Sequence, residues 1–264
     1  MSNKQRHNQR PAGWEPVADW YDSWMGAEGG DYHRNVAIPT ILELAKIRPG
    51  EKVLDVGAGQ GVLAPAVYRA GGDYTGVDVS ERLLHIARKR HGHPGRFLLG
   101  DARKLAAIHG LQAGEFDVVI FLLSIQDMHP LQPVLDSASW ALKAGGRLVI
   151  LMTHPCFRIP RQSGWNWDEE RKLSYRRIDR YLTPLSVPMK TYPGQPRGAT
   201  LSFHRPLEQY VNGLATCGLL LDWMQEIPSH KVQEKGMKAK AENRANQEIP
   251  LFLALRARKL ASSE

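Results

Sequence analysis

Residues 53–61, Val53-Leu54-Asp55-Val56-Gly57-Ala58-Gly59-Gln60-Gly61, decide how this chain is read. A short apolar run empties into three glycines, as a buried parallel strand does when it ends in a tight turn. Glycine adds no Cβ and tolerates positive φ, so a ligand can approach the backbone there. The helix expected after Gly61 offers free N–H groups and a positive dipole end to an anionic group. A dinucleotide fingerprint, G-x-G-x-x-G, needs glycine where this chain has Val62. A Walker loop needs a Lys-Ser or Lys-Thr pair, which does not follow these glycines.

Working outward, strand and helix signals alternate. A helical stretch runs from Gly61 to Gly71-Gly72, with Pro65 tolerable near its start. Asp73 to Asp78 reads as a second strand. Ser80 is a good N-cap, Glu81 sits in the first turn, and Arg88, Lys89 and Arg90 close that helix before Gly92. Phe97 to Leu99 is a third strand, and Phe116 to Leu123 a fourth too uniformly apolar to have a wet face. Leu131 to Leu142 reads as a helix that stops at Ala144-Gly145-Gly146, and Arg147 to Met152 as a fifth strand. This alternation predicts a parallel α/β sheet, with ligands bound beyond the carboxyl ends of the strands.

The pattern breaks between Thr153 and Thr200. That stretch holds six prolines (Pro155, Pro160, Pro184, Pro188, Pro193 and Pro196) together with Trp165, Trp167, Tyr175, Tyr181 and Tyr192. It is long for a simple connection, so it is expected to form a lid or substrate wall. A helix then starts at Pro206 and is capped by Gly218; Leu219–Ile227 and Ile249–Ala257 read as the last two strands, separated by a polar, basic loop from Ser229 to Gln247. The expected organisation is a flexible tail (1–13), a helical N-terminal cap rich in aromatics (14–48), a ligand-binding core (49–153), the lid insertion (154–200) and the C-terminal part of the core sheet (201–264).

Composition narrows the classes. With 264 residues, 42% hydrophobic and 23% charged, the chain has the make-up of an ordinary globular domain. No window approaches the roughly 18 consecutive apolar residues of a membrane span. The basic, polar start Met1 to Arg10 does not resemble a secretory signal. Cys156 and Cys217 provide neither a disulfide framework nor metal spacing, and suit a reducing cytoplasm; no metal is expected. The net charge of +8 is dispersed, and its richest stretches, Arg158 to Arg180 and Lys231 to Arg244, also carry acids. A solvated surface and a phosphate-binding face both accommodate it.

Two carboxylates fall in register with the glycine turn. Asp78 ends the second strand about 20 residues on, where an acid can accept both hydroxyls of a ribose. Asp101 follows the third strand, where it can receive an adenine amino group. With these in place the sequence resembles the class I S-adenosylmethionine-dependent methyltransferase family over about Lys52 to Met152. Val53 to Gly61 looks like the family's first motif, Thr75-Gly76-Val77-Asp78-Val79-Ser80 its ribose motif, and Gly100-Asp101-Ala102 its adenine motif. Phe116-Asp117-Val118-Val119-Ile120 is similar to its fourth strand, and Leu142-Lys143-Ala144-Gly145-Gly146-Arg147-Leu148 to the lead into the fifth.

The resemblance implies a Rossmann-like, seven-stranded, mostly parallel sheet with its last strand antiparallel. It implies S-adenosyl-L-methionine as cofactor, leaving as S-adenosyl-L-homocysteine. By position, Gly57, Ala58 and Gly59 contact the methionine part through backbone and Asp55 organises the turn. Val79 and Ala102 flank the nucleoside, while Tyr21 and Arg34 belong to segments that close over it, Arg34 toward the methionine carboxylate. Candidate catalytic groups follow strands four and five: Asp127 within Gln126-Asp127-Met128-His129, and His154 as a general base. Leu123-Ser124-Ile125-Gln126 stands where nucleic-acid amino methyltransferases of this fold carry Asn- or Asp-Pro-Pro-aromatic. A small-molecule O or N acceptor is therefore the leading expectation; an RNA-modifying enzyme of the same fold and a non-catalytic cofactor-binding protein stay open beside it.

Overall fold

The computed structural model describes residues 13–93, 95–189 and 200–260. The expected tail therefore lies outside them up to residue 12, as do Tyr192, Pro193 and Pro196. The N-terminal cap comprises a 3-10 turn at Glu15–Val17, helix α1 (Ala18–Met25), a π-helical turn at His33–Ala37 and helix α2 (Ile38–Ala45). The core alternates β1 (Lys52–Val56), α3 (Ala64–Arg69), β2 (Asp73–Asp78), α4 (Glu81–His91), β3 (Arg96–Leu99), β4 (Phe116–Leu122), α5 (Leu131–Ala141) and β5 (Leu142–Thr153). Then follow β6 (Ser163–Asp168), β7 (Leu173–Ile178), β8 (Leu185–Pro188), β9 (Leu201–His204), α6 (Leu207–Thr216), β10 (Leu219–Ile227), α7 (Ala239–Glu248) and β11 (Phe252–Lys259).

Seven strands form one sheet in the order β10-β11-β5-β4-β1-β2-β3. The five strands from β1 to β5 run parallel, and β11 is antiparallel to both of its neighbours, as the resemblance implies. The chain steps outward from β1 to β3 and then returns to the other side of β1 at β4. Side chains along β1 alternate between two cores: Leu54 and Val56 pack with Val119, Ile150 and helices α5 and α6 on one face. On the other, Val53 packs with Val118, Val149 and helices α2, α3 and α4. Fully burying one such side chain contributes about 1.5–3 kcal/mol.

Buried polar groups fix the cap to this sheet. Arg147 of β5 donates to the carbonyls of Ala45, at the end of α2, and Lys46, which follows it, and pairs with Glu51. The pairing with Arg147 holds the Glu51 carboxyl below its ordinary value. Removing Arg147 would leave these partly buried acceptors unpaired, at a cost of roughly 3–5 kcal/mol. On α4, the Ser80 hydroxyl accepts from Leu83 N–H, the expected N-cap. Glu15 Oε2 accepts in turn from the Ser80 hydroxyl and the Arg82 amide. Arg90 adds a bidentate ion pair to Asp22 at 2.5 and 2.8 Å.

Three sequence expectations need correction. Helix α5 ends at Ala141, before the Gly145-Gly146 pair. Leu142 already pairs with Phe116, and the register slips between Phe116 and Val118, so both glycines lie in the irregular start of β5. The loop expected from Ser229 to Gln247 contains α7. Within the insertion, β6 and β7 form one antiparallel hairpin, and β8 pairs with β9. Its boundary therefore moves from 200 to His204, because β9 belongs to this hairpin and not to the core sheet. Among the described residues no helix is long and apolar enough to cross a membrane.

Candidate functional site

The turn after β1 is built by hydrogen bonds to β2. Val77 C=O accepts from Gly57 N–H at 2.8 Å and from Ala58 N–H at 3.0 Å. Gly57 has φ +78, and a Cβ there would stand 2.6 Å from Ser124 Cβ and 2.9 Å from Met128 Cε. Position 57 thus requires glycine for both conformation and space. Gly59, at φ +55, has nothing within 4 Å of the place its Cβ would take, so its face is open. Asp78 locks the turn: its Oδ2 accepts from Gly59 N–H at 2.8 Å and its Oδ1 from Ser80 N–H at 2.9 Å. Burial nevertheless pushes this carboxyl upward.

A cavity of about 830 Å³ opens over the carboxyl ends of β1, β2 and β4. Tyr21, Gly57, Gly59, Asp78, Val79, Asp101, Ala102 and Asp127 all line it, so most of the residues singled out in the sequence converge. A small recess beside it is lined by Asp55, Ala58 and Gln60, together with Tyr21, His33, Gly57 and Gly59. Two buried acceptors belong to this recess, Asp55 Oδ1 and Gln60 Oε1, and neither has a hydrogen-bond partner. The other Asp55 oxygen accepts from Tyr74 O–H at 2.8 Å, and burial raises the Asp55 carboxyl to about 7. Burial lowers His33 to about 4, which keeps its imidazole neutral.

The far side of the cavity is apolar and aromatic. Trp14 and Trp24 come from the cap, Met128 and His129 from the segment after β4, and Leu201 and Phe203 from β9. Asp127 is set into this wall. The Ser202 and Trp14 side chains hydrogen-bond to its carboxyl, yet burial raises it to about 8 and its Oδ1 has no partner. Tyr21 is pushed up as well, first by burial and then by the carboxylates of Asp127 and Asp78, so it remains an O–H donor near both. His129 stacks on Phe203 at 4.8 Å, with Arg205 Nη2 3.4 Å from its Nδ1.

Two expected residues are elsewhere. Arg34 donates to Gly29 C=O at 2.7 Å and lines neither space; its neighbour His33 lines both. His154 is buried outside the cavity, where Thr153 is the lining residue. Its Nδ1 accepts from Cys156 N–H at 3.2 Å, which leaves the proton on Nε2 to be donated to Glu226 at 2.9 Å. Burial lowers its pKa, and neither nitrogen is available to a cavity ligand. Asp101 is in place, but Arg103 already occupies both of its oxygens and holds its carboxyl low. The aromatic hairpin β6–β7 contributes nothing to the cavity wall: Arg158 and Arg176 lie over Trp165, and Lys238 lies over Trp167.

Sequence reasoning missed His33, Phe203, Met189, Lys231 and Phe252, all of which line the cavity. His33 stands beside Arg34 in the segment expected to close over the cofactor; no local signal marks the other four, since each reaches the site from an element remote from the glycine turn.

Residues 54–150 match the family model described as a methyltransferase domain. The demethylmenaquinone methyltransferase of Tropheryma whipplei is 35% identical over 114 residues, covering 41% of this chain and 45% of that protein. The ubiquinone biosynthesis O-methyltransferase of Bordetella avium is 34% identical over 106 residues, covering 40% of this chain and 44% of that protein. The chain thus matches about half the length of these curated relatives. Among solved structures, an S-adenosylmethionine-dependent methyltransferase from Mesorhizobium loti superposes with a TM-score of 0.65 at 24% identity, over 88% of this chain and 100% of that one.

Proposed function

We infer that this chain, which belongs to the class I S-adenosylmethionine-dependent methyltransferase family, transfers a methyl group to an O or N atom of an apolar small molecule. One observation carries the reading: the open glycine turn and a buried, half-satisfied carboxylate, Asp127, face the same cavity across an aromatic wall. The residues fit the cofactor. The bare face of Gly59 admits a ligand against backbone, and the partnerless oxygens of Asp55 and Gln60 suit the N–H donors of its ammonium group. Asp78 retains acceptor lone pairs for ribose hydroxyls beyond the two amides it already serves.

When bound, S-adenosylmethionine supplies a methyl group already activated on sulfur, so the protein's main task is alignment. Tyr21, Trp14 and Met128 exclude water from the space between the turn and the acceptor wall. Asp127 Oδ1 accepts the proton of an acceptor hydroxyl. A pKa of about 8 makes this carboxyl a stronger base than an ordinary aspartate and leaves a minor ionised fraction at neutral pH. Turnover therefore rises with pH through that value. The two quinone-related relatives support an apolar ring as the acceptor's body.

Calorimetry with S-adenosylhomocysteine, followed by turnover assays on a panel of phenols and arylamines, tests the reading. Saturable binding is expected, together with methylation of a panel member that falls steeply in Asp127→Asn while binding is retained. Failure of the unmodified chain to bind S-adenosylhomocysteine would remove the reading. RNA binding that weakens steeply with salt, with methyl transfer to RNA, would replace the acceptor class.

A further inference from the structure

The cavity is lined by a cation that the transfer itself does not use. Lys231, from the segment after β10, lines the cavity beside Tyr32 and Phe252, its Nζ 5.0 Å from the Tyr32 ring centre. The other lining cation, Arg103, is held by both oxygens of Asp101 at the nucleoside end. The acid nearest Lys231 is Asp31, but Asp31 lies closer to His230, at 3.0 Å against 3.9 Å. Arg158 is within electrostatic reach of the Tyr32 phenol and donates hydrogen bonds to the carbonyls of Ile249 and Pro250. The segment is anchored, with the Tyr32 and Ser229 hydroxyls 2.9 Å apart and His230 edge-on to Tyr32. A cation thus stands on a rim that also carries Asp31, Tyr32 and Phe252.

We propose that Lys231 is a specificity determinant that selects acceptors pairing an apolar ring with an anionic group, a carboxylate or a phosphate. The apolar body lies against Phe203, Leu201 and Phe252, and the anion meets the ammonium at the rim. This rests on the methyltransferase reading for the word acceptor, but not for the binding it predicts. Lysine suits the role as a point charge on a long stem that follows the ligand into place.

The test measures binding of 2-naphthoate, 2-naphthyl phosphate and neutral 2-naphthamide by calorimetry, with and without S-adenosylhomocysteine. One or both anions should bind about five-fold tighter than the amide, the upper range for a partly exposed ion pair. Preference for the carboxylate or for the phosphate identifies the group. The advantage should vanish in Lys231→Gln and grow in Asp31→Asn, which frees the ammonium. S-adenosylhomocysteine affinity should stay unchanged in Lys231→Gln. Equal affinity for anions and amide in the unmodified chain, or an anion preference that survives Lys231→Gln, overturns the proposal. If S-adenosylhomocysteine fails to bind while the anion preference holds, the methyltransferase reading falls and the anion site stands.

Discussion

The two ends of the cavity hold their lining carboxylates in different ways. At the end beneath β1 and β2, Asp78 accepts from two backbone amides and Asp101 from the Arg103 guanidinium. At the end formed by β9 and the segment after β4, Asp127 and Gln126 each bury a side-chain oxygen without a partner. The first end is held ready by local turns. The second is apolar and aromatic, and there, as with Asp55 and Gln60 in the recess beside the turn, buried acceptors lack a partner. Unmet hydrogen-bonding capacity in a buried site is costly, and a ligand that meets it binds with selectivity.

Substitutions that break this contrast should act at one end only. The largest effect is expected for Gly57→Val: the side chain meets Ser124 and resists φ +78, so S-adenosylhomocysteine affinity should fall below detection in calorimetry. Retained binding would show that the turn is not the cofactor floor. Asp127→Asn should lower turnover about 10²–10⁴-fold while cofactor affinity moves little. It should also flatten a stability profile. Because burial raises the Asp127 carboxyl from 3.8 to about 8, the folded state holds a proton that the unfolded chain has lost. Stability should therefore fall as pH rises between those values. Chemical denaturation across that range compares the two proteins, and parallel slopes would place the titration elsewhere.

Asp78→Ala sharpens the comparison from the other side. Two amides lose a charged acceptor, each bond worth about 1.5–3 kcal/mol, so cofactor affinity and thermal stability should drop together. The smallest effect on chemistry is expected for His154→Ala. Turnover should stay within a few-fold, while stability falls by about 1–3 kcal/mol because the Cys156 amide and Glu226 lose their partner. A hundred-fold loss of turnover with intact folding would restore His154 to the reaction.

The first end was legible because its chemistry is written within a few residues of each strand. The glycines of 57–61, the terminal Asp78 and the Ser80 cap act locally, so a linear reading finds them. The second end is assembled from the cap, the β8–β9 hairpin and the segment after β10, and chain adjacency misleads there. His154 follows β5 directly, yet its carboxyl-end position did not aim its ring at the crevice; the antiparallel β11 runs beside it, and His154 N–H donates to Leu251 C=O. The tryptophans of β6 suggested a substrate wall by composition alone, whereas they serve as platforms for Arg158, Arg176 and Lys238. Asp127 lines the cavity because it lies just past β4, where topology and proximity agree.

Glu15 joins two tasks that are usually separate. Its carboxylate completes the first turn of α4 through Ser80 and Arg82, and its neighbour Trp14 roofs the cavity and hydrogen-bonds to Asp127. Displacing the Trp14–Glu15 segment would therefore cost the α4 end its carboxylate and Asp127 a hydrogen bond together. By linkage, a ligand that binds only the folded chain adds its own free energy to this arrangement, about 2.7 kcal/mol at a hundred times its dissociation constant. The melting temperature of the whole domain then doubles as a gauge of occupancy. Raising the salt concentration, which screens Asp22 from Arg90, should shift that gauge most when the cavity is empty.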